Sequence, residues 1–289
     1  MTVSTVIGCA VWDRVWCLDV WFDSLLENVD PSDTGLAFVV YAEDQRTREI
    51  IARRSGDFAA VDITRHRSQQ FGKEALAKEQ YASLAQSRNS LLKTAHKLRP
   101  EWYLNWDPNI VIPAGSLDRM KDLGKSATTI WSWTNRQAPR RMMYESEKLG
   151  VVEVEFQDQM FATALGRTTE GRVTHLSGGS WEEFTNATWK AQVIQQFVLL
   201  NKQAYRTCSF GPHPDGEFIW LSMDLARRGL ECWCYANEIG VSIQNQEEVD
   251  AGLRKLLLLA GQTPLASQRV AQDDVELQTL GLYPTGDRQ

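Results

Sequence analysis

The sequence has little of three things that would point to particular classes of protein. It has no excess of basic residues, because 31 Lys and Arg are set against 37 Asp and Glu, for a formal net charge of -6. It has no apolar run near the ~20 residues that a membrane-spanning helix requires. Its five cysteines are an odd number in apolar or aromatic company, without the histidine cluster or second cysteine pair of a zinc site. We therefore expect a cytoplasmic protein with no membrane partner, and neither a nucleic-acid coat nor a disulfide framework.

The first part of the chain alternates between two patterns. Continuous apolar runs typical of buried strands are separated by segments with the period of an amphipathic helix. Such an alternation implies a mostly parallel sheet with right-handed crossovers. The predicted strands are Ser4 to Val11, Gly35 to Tyr41 and Phe58 to Ile63, and the predicted helices are Cys17 to Glu27 and Arg46 to Arg54.

The rest of the chain is less regular. A long polar helix is predicted over Gln69 to Leu98, and it leads into a strand over Trp102 to Trp106. Later segments at 130–134 and 151–156 alternate like strands. A glycine cluster at 177–180 precedes a predicted amphipathic helix ending near Lys202, and a loop from Gly211 precedes a helix over 218–228 and a strand over 230–235.

The segment Asp107-Pro108-Asn109 directly follows the Trp102 to Trp106 strand. An acidic group, followed two residues later by a second oxygen ligand at the carboxyl end of a strand, can present a divalent cation to a diphosphate. Asp-Pro-Asn is also a favoured turn sequence whose side chains cap backbone groups. The position after a strand favours the first interpretation, with Asp107 and Asn109 as ligands of Mn2+ or Mg2+.

Further polar residues follow the first two predicted strands. Asp13 and Arg14 come after the strand that ends at Val11, and Glu43 and Asp44 come after the second strand. Open α/β sheets bind ligands at these strand ends. An acidic side chain there could accept hydrogen bonds from a ribose or from a uracil N-H, although a surface loop would use the same residue types.

In their order along the chain, several of these segments resemble the GT-A family of glycosyltransferases. The resemblance covers roughly residues 3 to 245. Val6 to Arg14 and Leu18 to Leu26 resemble the family's first strand, turn and helix, and Arg88-Asn89 resembles its Arg-Asn helix. Asp107-Pro108-Asn109 is similar to its Asp-x-Asp motif. Gly216-Glu217-Phe218 and Arg227-Arg228-Gly229 are similar to its late Gly-Glu-Asp loop and the helix that follows.

The resemblance implies a fold and an activity. The fold is a GT-A-like, Rossmann-type α/β fold with a mostly parallel central sheet flanked by helices. Residues 1–113 would form the donor-binding half, 114–263 the acceptor-binding half, and 264–289 a tail. The activity is transfer of a sugar from a nucleotide-sugar donor, with a UDP-sugar expected, to a hydroxyl of a glycan, a protein or a modified DNA base. A metal would assist, and inversion is favoured over retention.

The resemblance also implies roles for individual residues. Apart from the resemblance, the glycine cluster suits a loop that approaches the sugar closely, with Gly178, Gly179 and Trp181 binding the acceptor, although glycines there equally suit a tight turn before a helix. Phe218 occupies the position of the family's catalytic Asp, so the flanking Glu217 is the preferred base and Asp215 the second candidate. Gln244 stands near the position where the family often supplies a metal-binding His. The donor-binding residues would be Val11, Asp13, Arg14, Glu43, Asp44, Arg88, Trp106 and Asp107.

Two alternatives remain open from the sequence. A nucleotidyltransferase would also use strand-end carboxylates, but it would need a Gly-rich phosphate loop where Trp12 to Val15 stands. A non-catalytic nucleotide- or carbohydrate-binding protein on the same scaffold would account for Asn109, Phe218 and the missing late His.

Overall fold

The computed structural model has the predicted alternation of strands and helices over its first hundred residues. It describes residues 3–11, 14–41, 43–66, 77–133, 141–146, 150–155, 160–161, 164–165, 167–168, 188–250 and 253. Only the backbone is described at 77–78, at 133 and in the five short segments between 141 and 168. Among these residues, no helix is both long and apolar enough to cross a bilayer.

The helices of the described part are α1 (Leu18–Leu26), α2 (Gln45–Arg54), α3 (Ala77–Leu98), α4 (Ser116–Asp122), α5 (Lys202–Thr207) and α6 (Glu217–Arg227). The strands are β1 (Thr5–Val11), β2 (Thr34–Tyr41), β3 (Ala60–His66), β4 (Trp102–Trp106), β5 (Ile110–Val111), β6 (Ala127–Trp133), β7 (Arg141–Ser146), β8 (Gly150–Glu155), β9 (Met160–Phe161), β10 (Ala164–Leu165), β11 (Arg167–Thr168), β12 (Thr188–Ala191), β13 (Val193–Ile194), β14 (Phe197–Asn201) and β15 (Cys232–Ser242).

One large sheet connects most of these strands in the order β11-β7-β12-β15-β6-β14-β4-β1-β2-β3. The strands β3, β2, β1 and β4 run parallel, as do β6 and β15, whereas β14 lies antiparallel between β4 and β6. The predicted α/β class, with a mostly parallel central sheet flanked by helices, is confirmed. The chain leaves β1 toward β2 and returns on the other side as β4, and this reversal of strand order opens a crevice at the carboxyl ends of β1 and β4.

Strand β1 separates two hydrophobic cores. Val6 packs into the core that contains Leu91 and Ala95 of α3, while Ile7 belongs to the core that contains Trp21 of α1. Successive side chains of a strand point to opposite faces, so a continuous apolar run fills both cores. Close packing on the α3 side requires glycine at position 8, because a Cβ there would lie 2.4 Å from the Tyr103 hydroxyl oxygen.

The prediction of a helix ending near Lys202 is wrong. The segment 188–201 forms β12, β13 and β14, and the helix α5 starts at Lys202. Its β-branched and aromatic residues suit a sheet, and β14 is almost entirely buried because it pairs with β4 on one side and β6 on the other. The glycine cluster at 177–180 lies outside the described residues.

Candidate functional site

The carboxyl ends of β1, β2 and β3 form the floor of a small cleft, and helix α3 forms one wall. The floor includes Val11 and His66, and the wall includes Ser83 and Ser87. The Ser87 hydroxyl oxygen lies 3.3 Å from Nδ1 of His66, so a hydrogen bond joins the end of β3 to α3. This cleft lies where an open α/β sheet binds its ligand.

Beside the cleft, four side chains form a hydrogen-bonded group that we call the Arg88 cluster: Arg88, Asn105, Asp107 and Glu217. Arg88 Nε donates to Glu217 Oε1 at 2.7 Å, and Nη1 donates to Asn105 Oδ1 at 2.9 Å. Nη1 and Nη2 also donate to the two carboxylate oxygens of Asp107, at 2.8 and 3.2 Å. The side chains of Arg88 and Glu217 are each 5% exposed, and that of Asp107 is 16% exposed. One guanidinium thus joins α3, the end of β4 and the start of α6.

The residues around Arg88 fix its position. Its neighbour Asn89 donates through Nδ2 to the carbonyl oxygen of Phe210 at 2.7 Å and accepts the Phe210 N-H at 2.9 Å. The ring of Phe218 lies 4.2 Å from Cζ of Arg88, a cation-π distance. Gly216, with φ of 128°, makes the turn into α6 in a conformation that favours glycine. The Arg-Asn pair therefore ties α3 to the loop before α6.

The electrostatics of the Arg88 cluster follow from burial and pairing. Burial lowers the pKa of Arg88, but the charges of Asp107 and Glu217 and their hydrogen bonds outweigh burial, so the pKa is raised. Beneath the cluster, burial raises the pKa of the Cys9 thiol well above its ordinary value, and the charge of Asp107 raises it further. One guanidinium and two carboxylates give the cluster a formal charge of -1.

The two polar residues of the Asp-x-Asn motif contact different groups. Asp107 faces Arg88, whereas Asn109 Nδ2 donates to the Ser242 hydroxyl at 3.2 Å, at the end of β15. That hydroxyl also accepts a hydrogen bond from the side-chain Nε2 of Gln244 at 2.6 Å. The backbone carbonyl oxygen of Gln244 accepts a hydrogen bond from Arg14 Nη1 at 3.4 Å. We call Arg14, Asn109, Ser242 and Gln244 the Arg14 edge.

The predicted Mn2+ or Mg2+ site does not fit this arrangement. Both carboxylate oxygens of Asp107 accept hydrogen bonds from a guanidinium, and Asn109 turns its amide nitrogen toward Ser242. A divalent cation on Asp107 would lie against the positive charge of Arg88. Within the part of the chain that the structure describes, no three His, Cys, Asp or Glu side chains come together as a metal-binding group.

The other predicted donor-binding residues have varied surroundings. Val11 lines the cleft, and Trp106 is fully buried, with its indole N-H donating to the carbonyl oxygen of Ile110 at 2.8 Å. Asp44 caps α2 by accepting the Thr47 N-H at 2.9 Å, and Glu43 is exposed in the preceding turn. Asp13 lies outside the described residues, as do the predicted acceptor-binding residues Gly178, Gly179 and Trp181.

The two candidate bases lie in opposite environments. Glu217, the first residue of α6, is buried and accepts a hydrogen bond from Arg88 Nε. Asp215 is 75% exposed, and its backbone N-H donates to Nδ1 of His213 at 3.2 Å. Glu217 is therefore held at the Arg88 cluster, whereas Asp215 belongs to a solvent-facing turn.

Two residues of the site are absent from the sequence predictions. Asn105 presents its amide to Arg88 and Asp107, and a polar residue in the otherwise apolar strand Trp102-Tyr103-Leu104-Asn105-Trp106 is a signal that could have identified it. The carbonyl oxygen of Gln196 accepts the Asp107 N-H at 2.9 Å, with a backbone φ of 64° that non-glycine residues rarely adopt. Among the described residues, Oε1 of Gln196 is buried without a hydrogen-bond partner. A left-handed residue beside the candidate site is the kind of strain found at functional positions.

Comparison with known proteins gives structural likenesses only. No protein-family model matches the chain, and no curated protein matches its sequence. The structure is similar to residues 1-349 of S. aureus TarS in complex with UDP-GlcNAc, at 11% identity and a TM-score of 0.50, covering 84% of this chain and 60% of that one. It is similar to the same TarS segment in complex with UDP, at 9% identity and a TM-score of 0.51, covering 89% and 65%. The chain thus spans 60 to 65% of the length of these TarS chains. Together with the strand order, these likenesses identify the fold as that of the GT-A glycosyltransferases.

Proposed function

We propose that the protein is a glycosyltransferase that moves a sugar from a nucleoside-diphosphate donor, with a UDP-sugar as first candidate, to an acceptor hydroxyl. The observation that carries the proposal is the Arg88 cluster. On a GT-A fold, it joins Arg88, Asp107 and Glu217 from three separate segments at the carboxyl ends of β1 and β4, beside an open cleft. The two TarS complexes contain UDP-GlcNAc and UDP, which supports a uridine donor.

The nucleoside would bind at the cleft. Its floor at Val11 and Val39 is apolar, so a flat base can lie against it, and the hydroxyls of Ser83 and Ser87 and the His66 imidazole offer hydrogen bonds. The diphosphate would then extend along the carboxyl edge toward Arg14. The sugar would lie beside the Arg88 cluster, within reach of Glu217 at the start of α6.

The chemical step needs a base and a stabilised leaving group. The acceptor oxygen forms a bond to the anomeric carbon of the sugar while the bond from that carbon to the diphosphate oxygen breaks. The acceptor proton passes to a carboxylate, and the diphosphate leaves with the bonding electrons. Glu217 is the proposed base, because Arg88 fixes it at the cluster; Asp215, two residues earlier, is the second candidate. An inverting outcome follows if the base lies opposite the leaving diphosphate.

One observation favours a second candidate function. Phe218, at the position of the family's catalytic Asp, is 6% exposed, and both carboxylates of the cluster are bonded to Arg88. A protein of this kind could bind a nucleotide or nucleotide sugar without transferring the sugar. Such a binding protein would bind the nucleotide sugar at the cleft but would form no UDP from it.

The test is a binding screen followed by a turnover assay. We expect UDP and UDP-sugars to raise the Tm and to bind in calorimetry, because a ligand of the folded state stabilises it by mass action. The screen includes GDP and GDP-mannose and is run both in EDTA and in Mn2+. UDP release from the donor that binds, with glycan acceptors, distinguishes a transferase from a binding protein. No binding of any nucleotide in either buffer would contradict both functions.

A pair of variants locates the binding site. Ser83→Trp on α3 would fill the cleft and should abolish nucleotide binding. Gln86→Trp on the exposed side of the same helix introduces the same indole ring outside the cleft and should leave binding intact. Equal binding by both variants would move the site away from the cleft.

A further inference from the structure

We propose that nucleotide binding by this protein needs no divalent cation, because Arg88 already occupies the Asp107 oxygens that a metal would use, and Arg14 supplies positive charge for the diphosphate on the Asn109 side of the motif. The inference rests on the proposed function and concerns the same site. It starts from the mismatch between the predicted metal site and the observed contacts of Asp107 and Asn109.

The first position of the motif already has a cation. Arg88 donates to both oxygens of Asp107, at 2.8 and 3.2 Å, and a third N-H donates to Glu217. Charge-assisted bonds of this bidentate kind are among the strongest in proteins, and here the guanidinium is almost fully buried. A metal ion would have to displace two of these bonds and remain beside a positive charge, so binding at Asp107 is disfavoured.

The second position carries no negative charge. Asn109 is 7% exposed and donates its amide N-H to Ser242, whose hydroxyl also accepts from Gln244. A neutral amide and a neutral hydroxyl are weaker ligands for a hard cation than carboxylates. The Arg14 edge thus contains no carboxylate. A phosphate can therefore approach it without a metal ion to offset negative charge on the protein.

Arg14 is the group available to the diphosphate. Among the described residues, its side chain makes one hydrogen bond, a long one of 3.4 Å to the Gln244 carbonyl, and lies 5.7 Å from the Trp16 ring. A guanidinium has five N-H donors in a geometry that suits phosphate oxygens. The neighbouring carboxylate of Glu248 already accepts the N-H of Gln244 at 3.0 Å and the side-chain amide of Asn245 at 3.1 Å. The described residues therefore leave most donors of Arg14 for an anion at the carboxyl end of β1.

Two measurements on the whole chain test the inference. Calorimetric titration with UDP and GDP is run in EDTA and in Mn2+, and free Mn2+ is followed by electron paramagnetic resonance with and without UDP. We expect the nucleotide Kd to agree within about threefold between the buffers, a difference below ~1 kcal/mol. We also expect no saturable Mn2+ binding. Binding that is lost in EDTA, or one Mn2+ bound per chain, would overturn the inference and leave the proposed function intact. No nucleotide binding in either buffer would overturn the proposed function itself.

Variants identify the cation that replaces the metal. Arg14→Gln should weaken UDP binding by about 10- to 100-fold, the usual effect of losing a hydrogen bond to a charged group. The loss should be the same in Mn2+ and in EDTA. Arg53→Gln makes the same change of charge on an exposed arginine at the end of α2 and should bind UDP normally. Rescue of Arg14→Gln by Mn2+, or unchanged UDP affinity in that variant, would contradict the assignment.

Discussion

The Arg88 cluster and the Arg14 edge flank the same Asp-x-Asn motif but use arginine in opposite ways. Arg88 is 4% exposed and bonded to two carboxylates at 2.7 and 2.8 Å, whereas Arg14 is half-buried and reaches one carbonyl oxygen at 3.4 Å. A buried guanidinium must have its charge compensated inside the protein, which fixes its partners. A partly exposed guanidinium keeps its charge with the help of water and can exchange that water for a ligand. The comparison therefore separates an arginine that positions the site from one that can bind a substrate.

The largest expected effect comes from removing the buried arginine. In Arg88→Met, Asp107 and Glu217 would be left as buried carboxylates without a cation, which costs about 3 to 5 kcal/mol of unfolding free energy. Urea unfolding followed by circular dichroism measures this change. The matched control is Arg53→Met, whose exposed pair with Asp19 should contribute about 0 to 1 kcal/mol. Equal losses in the two variants would show that the Arg88 cluster is no more than a surface ion pair.

The next effect concerns the two candidate bases. Glu217→Gln retains an oxygen that can accept the hydrogen bond from Arg88 Nε, but the neutral amide cannot remove a proton from the acceptor hydroxyl. Turnover should fall by about 10²- to 10⁴-fold, with little change in the Kd for the donor. Steady-state release of UDP and calorimetry measure the two quantities separately.

Asp215→Asn decides between the bases. If Asp215→Asn lowers turnover while Glu217→Gln does not, the base assignment moves to the exposed turn. If neither variant loses turnover, the acceptor proton goes to a group outside this loop.

Local patterns in the sequence were sufficient to predict one side of the fold. The strands β1 to β4 and the helices between them follow from continuous apolar runs and helical periods. The sequence also singles out Arg88, Asp107 and Glu217, which the structure brings together in the Arg88 cluster. The sequence predicts a helix over 188–201, because the apolar spacing there fits either period, and only pairing with β4 and β6 selects the strand at 197–201.

The contacts within the site could not be predicted in the same way. The sequence does not reveal that Arg88, 19 residues from Asp107 and 129 from Glu217, would bond to both. These contacts depend on the packing of α3 against β4 and α6, which arises from long-range topology. For the same reason, only the three-dimensional structure shows that Asp107 contacts Arg88 whereas Asn109 contacts Ser242.

The pH dependence of stability and the reactivity toward alkylation test the burial of two thiols, Cys17 and Cys9. Burial raises the pKa of Cys17 from about 9 to about 12, although the charge of Arg14 lowers it, and Cys17 Sγ donates to the Arg14 carbonyl oxygen at 3.1 Å. The unfolded thiol ionises near pH 9 and the folded thiol near pH 12, so its contribution to stability is complete below pH 9 and is lost as the pH rises from 9 to 12.

The measurement is urea unfolding of the wild type and of Cys17→Ala at several alkaline pH values. The difference in unfolding free energy between them should change in favour of the variant by about 1.4 kcal/mol per pH unit above pH 9. A difference that is constant with pH would mean that the Cys17 thiol is accessible to solvent in the folded protein. Cys9, beneath the Arg88 cluster, should likewise resist alkylation in the folded state, because burial and the charge of Asp107 both disfavour its thiolate.

The smallest expected effect is that of Arg14→Gln on stability. Within the described part of the chain, Arg14 makes one long hydrogen bond and a contact with the Trp16 ring, and neither leaves a buried charge behind when the guanidinium is removed. The free energy of unfolding should change by less than about 0.5 to 1 kcal/mol, in contrast to Arg88→Met. Urea unfolding in the absence of nucleotide checks this value. A loss of several kcal/mol would mean that Arg14 stabilises the fold as Arg88 does, and a weaker affinity of Arg14→Gln for UDP would then reflect disruption of the edge instead of a lost contact with phosphate. A stable variant that binds UDP poorly would instead assign structural support to Arg88 and ligand binding to Arg14.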